Sequence, residues 1–184
     1  MNSFIKTIYL SLLMLAMSLC AQANSSVNYA ELLTSRAQIQ GQGRMTYWGF
    51  DLYDAKLLQL YHPQGPSVAL KIDYLKSFKS ENLREQTIKE MKQLGVSSLQ
   101  RDKWSVELKD IFPDVKPGHS ITAIYQPKVG TIFLHNEKYV GKVSGDEFSK
   151  AFFAIWLDPR TSAPQLRSQL LSESCTPAFI SPQC

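Results

Sequence analysis

The stretch Val68-Ala-Leu-Lys-Ile-Asp-Tyr-Leu-Lys-Ser-Phe-Lys-Ser-Glu-Asn-Leu-Arg-Glu-Gln-Thr-Ile-Lys-Glu-Met-Lys-Gln-Leu-Gly95 changes its period midway. Up to Leu75 the apolar set Val68, Leu70, Ile72 and Tyr74 alternates with Ala69, Lys71, Asp73 and Leu75, which predicts a strand with one core face and one mostly solvated face. From Ser80 the spacing becomes helical. Ser80 is placed to cap, Glu81 suits the first turn, Leu83, Thr87, Met91 and Leu94 form one stripe, and Gly95 stops the helix.

Upstream, Ala37 to Phe50 predicts a strand with close backbone approaches at Gly41, Gly43 and Gly49, followed by a second strand from Phe50 to Tyr61. His62-Pro-Gln-Gly-Pro66 reads as a turn. Downstream, Leu99, Trp104, Leu108 and Ile111 predict a second amphipathic helix that ends before Pro113. Strands are then expected over Ser120 to Gln126, Thr131 to Leu134 and Lys138 to Val143, with turns at Pro127 to Gly130 and His135 to Glu137. Ser144-Gly-Asp-Glu147 has the spacing of a capping box before a helix that is apolar on several sides: Phe148, Phe152, Phe153, Ile155, Trp156 and Leu157. Asp158-Pro159 ends it, and Pro164 opens a short helix with Leu166, Leu170 and Leu171. The order β-β-β-α-α-β-β-β-α-α predicts an α+β domain, a large antiparallel sheet with helices on one face.

The chain has 184 residues, 44% apolar and 20% charged, with a formal net charge of +4. That charge is mild and scattered, and it gives no case for nucleic acid. The basic run Lys71, Lys76, Lys79, Arg84, Lys89 and Lys92 is nearly cancelled by Asp73, Glu81, Glu85 and Glu90, as on a solvated helix face.

Residues 1–23 read as a removable export signal, with Lys6 as the charged start, Ile8 to Leu19 as the apolar stretch and Ala21-Gln-Ala23 as the cleavage site. Lipid attachment at Cys20 is the alternative, and Leu19 before it is the wrong residue for that. The expected location is the periplasm. The remaining residues are enough for one domain over 24–174, and no later apolar run approaches the ~18 residues of a membrane-spanning helix. Cys175 and Cys184 are an even pair in an exported chain, so a disulfide closing the tail 175–184 is expected, acting as a staple.

His62, His119 and His135 fall in or beside turns without metal-ligand spacing, and no nucleophile elbow or phosphate loop is present. No metal or cofactor is therefore expected. The polar residues Arg44, Tyr47, Tyr53, Asp54 and Tyr74 within the first strands remain as candidates. Arg44 can grip a carboxylate through its fork, with Tyr53 or Tyr74 as neutral donors, or it can pair with Asp54 across neighbouring strands.

Three segments carry a family resemblance. Gly41-Gln-Gly-Arg-Met-Thr-Tyr-Trp-Gly-Phe-Asp-Leu-Tyr-Asp-Ala-Lys-Leu57 resembles the opening strand pair of chalcone isomerase-like proteins. Phe112-Pro-Asp-Val-Lys-Pro-Gly118 and Gly141 to Pro159, with its Phe152-Phe-Ala-Ile-Trp-Leu157 block, resemble later segments of the family's exported bacterial branch. The resemblance runs from about Ala37 to Leu171 and implies an open-faced β-sandwich with a cleft between sheet and helices.

Members that cyclise flavanones use an arginine, a threonine, and a tyrosine and lysine near the junction of sheet and helix. Arg44 matches the arginine. Tyr53 or Asp54 stands near the threonine position, and Leu75-Lys-Ser-Phe-Lys-Ser80 lacks the tyrosine-x-x-lysine spacing. These departures argue against an intramolecular lyase. Non-catalytic relatives bind fatty acids through the matching arginine and a tyrosine. The resemblance therefore implies a periplasmic binding protein for a small amphipathic acid, with Arg44, Tyr53, Asp54 and Tyr74 as the ligand-binding set. The alternatives are the lyase, or an interaction protein whose cleft is filled by its own side chains.

Overall fold

The computed structural model describes residues 28, 29, 31, 33, 37–62, 65–172 and 174–180. The expected signal segment 1–23, Cys20, Pro63, Gln64 and Cys184 lie outside these described residues.

Six strands follow one another in a single antiparallel sheet, ordered as they occur in the chain. They are β1 (Ala37–Tyr47), β2 (Phe50–His62), β3 (Gly65–Tyr74), β4 (Ser120–Gln126), β5 (Gly130–His135) and β6 (Lys138–Ser144). Between β3 and β4 the chain forms α1 (Ser80–Gln93) and α2 (Ser98–Lys109), and after β6 it forms α3 (Asp146–Leu157) and α4 (Pro164–Leu171). This is the α+β order predicted from periodicity.

The helices cover one face of the sheet. α3 carries most of that interface, with Phe148, Phe152, Phe153, Ile155, Trp156 and Leu157 all buried. Phe133 from β5 meets Phe148 and Phe152 edge-on, and Phe152 in turn meets Trp156. Burying each such ring contributes roughly 1.5–3 kcal/mol. α4 lies across β1. There the two glycines matter: a side chain at Gly41 would run into the Leu170 and Gln169 carbonyls, and one at Gly43 would meet the Gln169 and Leu166 side chains. Gly49 does different work from the close approach expected of it. With Trp48 at φ 50 and Gly49 at φ 79, it forms a two-residue turn joining β1 to β2.

Three local expectations are corrected. Ser80 is the first helical residue rather than the cap; its amide donates to Asp114 Oδ1 at 2.8 Å, and Asp114 also takes Lys79 Nζ at 2.7 Å. The cap is thus supplied from the far side of α2, next to the bridge between Phe78 and Val115. The capping box at Ser144 does not form either. Gly145 occupies the cap with φ 98, a conformation a serine side chain would strain to adopt, and Asp146 turns back to accept from the Lys128 amide and the Tyr125 hydroxyl. Leu99, expected on an apolar stripe, is exposed, whereas Trp104, Leu108 and Ile111 are buried.

The outer face of the sheet is less solvated than the alternation in β3 implies. Ala69 is fully buried with Leu58, Leu60, Ile124, Ile132 and Leu134 in a second, smaller cluster, against which Tyr29 and Leu33 pack.

Candidate functional site

From Tyr53 to Leu60 in β2, past the register shift opposite Met45 and Thr46, odd-numbered residues lie on the helix side and even-numbered ones face away, because successive side chains point to opposite sides of the pleat. Ala55 and Leu57 belong to the main core and Leu58 and Leu60 to the outer cluster. That parity splits the predicted ligand set. Tyr53 and Tyr74 point inward, whereas Arg44 and Asp54 sit opposite each other on the outer face, paired in register between β1 and β2.

Arg44 is saturated there. Its Nε donates to Asp54 Oδ1 at 2.6 Å, a second guanidinium nitrogen reaches Asp54 Oδ2 at 3.0 Å, and the third reaches Asp51 Oδ2 at 2.9 Å. Asp51 also accepts from the Thr46 hydroxyl at 2.8 Å. The hydrogen bonds to Asp54 and then to Asp51 raise the guanidinium pKa above its already high ordinary value, so the group stays charged beside its two carboxylates. About half of the Arg44 side chain is in solvent (51% exposed). The structure does not bring Arg44 or Asp54 to the cleft between sheet and helices.

In that cleft a cavity of about 600 Å³ lies between β1–β3, α1 and α3. Met45, Leu52, Ile72, Phe78, Phe152 and Ile155 supply much of its apolar wall. Such a volume is typical of a pocket for a small organic molecule, so the cleft is not filled by the protein's own side chains.

Its polar groups gather on α1, where Asn82, Gln86, Thr87, Lys89, Glu90 and Gln93 line it, and on the sheet at Tyr53 and Tyr74. The Tyr53 hydroxyl accepts from Trp156 Nε1 at 3.0 Å, which leaves its own proton without an acceptor among the described residues. Tyr74 is 6% exposed, meets the rings of Tyr53 and Phe78 edge-on, and its hydroxyl has no hydrogen-bond partner among the described residues. Burial pushes the Tyr53 phenol up to about 12 and raises Tyr74 as well. Both therefore remain neutral donors at any physiological pH.

Charge balance along α1 places Glu90 on a solvated face, but the residue is 9% exposed and lines the cavity. Its Oε1 accepts from Gln86 Nε2 at 2.7 Å and its Oε2 from the Ser162 hydroxyl at 2.8 Å. A signal for this was present. Glu90 falls three residues after Thr87 and seven after Leu83, on the stripe that also carries Met91, and all of these are packed inward.

The two remaining histidines are also better placed than solvated loop residues. His135 Nε2 lies 3.1 Å from His119 Nδ1 at the end of β5. Among the described residues no cluster of His, Cys, Asp and Glu could hold a metal ion. No helix among them is long and apolar enough to cross a membrane.

The fold matches a crystal structure of a fatty-acid binding protein from Arabidopsis thaliana with a TM-score of 0.55, over 74% of this chain and 87% of that one, at 12% sequence identity. At that identity the likeness speaks for the fold. No curated protein is significantly similar in sequence. The sequence pattern of a family described as chalcone isomerase-like matches residues 47–172, from the end of β1 through α4. The chain belongs to the chalcone isomerase-like family.

Proposed function

We propose that this chain is a non-catalytic binding protein that holds a small amphipathic molecule in the cavity between sheet and helices. The observation that carries the reading is the cavity itself: about 600 Å³, with a mainly apolar surface, two neutral tyrosine donors on the sheet side and a row of polar side chains on α1. The apolar wall suits a hydrocarbon body, and Tyr53 and Tyr74 suit a head group that can accept a hydrogen bond. The fatty-acid binding role named for the Arabidopsis thaliana neighbour supports the same ligand shape. An acid gripped by Arg44 is not the basis of this proposal, since that guanidinium is engaged by Asp54 and Asp51 on the other face. Flavanone cyclisation draws no support from the cavity: among the described residues the only lysine or arginine lining it is Lys89, exposed at the rim, so no buried cation is at hand to stabilise a developing oxyanion.

The test is displacement of an environment-sensitive apolar dye by decan-1-ol. Wild-type protein should bind dye saturably at one site. Thr87→Phe, which fills the cavity from α1, should abolish binding while circular dichroism shows an unchanged fold. Absence of saturable binding to the wild type would remove the proposal.

We further propose export to the periplasm after cleavage at Ala23, or anchoring at Cys20, and a disulfide between Cys175 and Cys184. The support is the sequence of both ends. Intact mass of the mature protein, before and after thiol labelling without reductant, tests both. A chain retaining residues 1–23, or one with Cys175 and Cys184 both labelled, would contradict them.

A further inference from the structure

If the cavity binds an amphiphile, its walls also constrain the charge of the head group. Glu90 is a carboxylate inside the cavity wall, nine-tenths buried, whose two hydrogen-bond partners among the described residues, Gln86 and Ser162, are both neutral. Among the described residues no lysine or arginine forms an ion pair with it, and Lys89, its neighbour in the chain, lines the same cavity only from an exposed position at the rim. A carboxylate has about four lone-pair sites, so two hydrogen bonds leave accepting capacity unused. A buried charge satisfied only by neutral donors is costly and gains from any further donor that reaches it.

A second observation comes from the opposite wall. Tyr74, also more than nine-tenths buried, has an unpartnered hydroxyl, and the proton of Tyr53 is likewise uncommitted among the described residues. The negative charge of Glu90 acts on Tyr53 across this space, although burial is the larger influence on that phenol. The uncommitted groups that lie deepest are therefore a charged acceptor on α1 and neutral hydroxyls, able to donate or accept, on β2 and β3, whereas Asn82, Lys89 and Gln93 line the cavity from more exposed positions.

We infer that the cavity selects an amphiphile whose head group donates a hydrogen bond to Glu90, an alcohol, amide or ammonium, and discriminates against a free carboxylate. This rests on the proposed function and names the ligand class for the same site. A hydroxyl or amide head would donate to Glu90 while accepting from Tyr53 or Tyr74. An ammonium would pair with Glu90 directly. A carboxylate would satisfy the tyrosines only by placing a second negative charge in a mainly apolar space near the first, and such a juxtaposition of like charges opposes binding.

The experiment compares decan-1-ol, decylamine and decanoate as displacers of the same apolar dye from wild-type protein and from Glu90→Gln at neutral pH. Glutamine keeps the size of the side chain and removes its charge. The alcohol and the amine should displace dye at concentrations roughly tenfold or more below that of decanoate. Glu90→Gln should close most of the gap by strengthening decanoate and weakening the amine. Decanoate binding as tightly as the alcohol, or a gap unchanged in Glu90→Gln, would overturn the inference while leaving the cavity as a binding site. Failure of all three to displace dye, or of the dye to bind, would remove the proposed function itself. Should Glu90→Gln not fold, the wild-type ranking decides.

Discussion

Tyr53 and Asp54 are neighbours in the chain and lie in two different chemical worlds. Tyr53 faces the helices, shares a hydrogen bond with Trp156 and borders the cavity. Asp54 faces away and holds Arg44 in a two-point ion pair at the protein surface. The inner face of the sheet is aromatic, largely apolar and incompletely filled. The outer face combines salt links, such as Lys56 to Asp73 at 3.2 Å, with a thin apolar cluster around Leu60 and Ala69. The comparison teaches that an arginine on a strand is informative about ligands only once the face it occupies is known. Here the conspicuous charge is structural and the inconspicuous one, Glu90, borders the space a ligand would enter.

The largest effects should come from breaking the inner face. Phe148 is fully buried among Phe133, Phe152 and Trp104. Phe148→Ala should cost about 3–5 kcal/mol in denaturant unfolding, while Leu60→Ala in the outer cluster should cost about 2–3 kcal/mol. Equal costs would mean that the outer cluster is as tightly packed as the core. Next comes the seam between β1 and α4. Gly43→Val places a side chain against Gln169 and Leu166 and should destabilise by about 1–3 kcal/mol, measured the same way.

The sharpest contrast is smaller in energy. Tyr53→Phe removes the acceptor for Trp156 Nε1 and should cost about 1 kcal/mol, with weaker displacement of the apolar dye by decan-1-ol. Arg44→Ala, on the opposite face, should leave that displacement unchanged and alter stability little, as is usual for solvent-exposed ion pairs. Ligand binding that depends on Arg44 and not on Tyr53 would reverse the assignment of the two faces.

The smallest effect concerns His135, whose pKa is lowered below 6.5 by burial and then by His119. The unfolded chain takes up this proton more readily than the folded one, so folding loses stability as pH falls from about 6.5 toward the lower folded value. His135→Gln should flatten that acid limb of a stability–pH curve without changing stability above neutrality.

The order of strands and helices was legible because each element has a clear period: two in Val68–Tyr74, near 3.6 in Leu83–Leu94, and turn residues between them. Face assignment in β1 was not. Its glycines at 41 and 43 carry no side chain to mark a face, and the pairing with β2 shifts register between Ile39 and Gly41 and again between Met45 and Thr46. Strict alternation therefore cannot be followed through Arg44. Capping was misread at both Ser80 and Ser144 because the deciding groups are Asp114, far away in sequence, and the backbone of Gly145. Glu90 escaped notice through its charge. Its position on the buried stripe of α1 was visible, but a carboxylate is rarely placed inside unless something there uses it.

A crystal structure of the protein soaked with decan-1-ol tests the central claim most directly. The account predicts a hydrocarbon chain along Leu52, Ile72 and Ile155, with its hydroxyl within hydrogen-bond distance of Glu90 and of Tyr53 or Tyr74. An unoccupied cavity with the alcohol bound on the outer face beside Arg44, or with no alcohol bound at all, would contradict it.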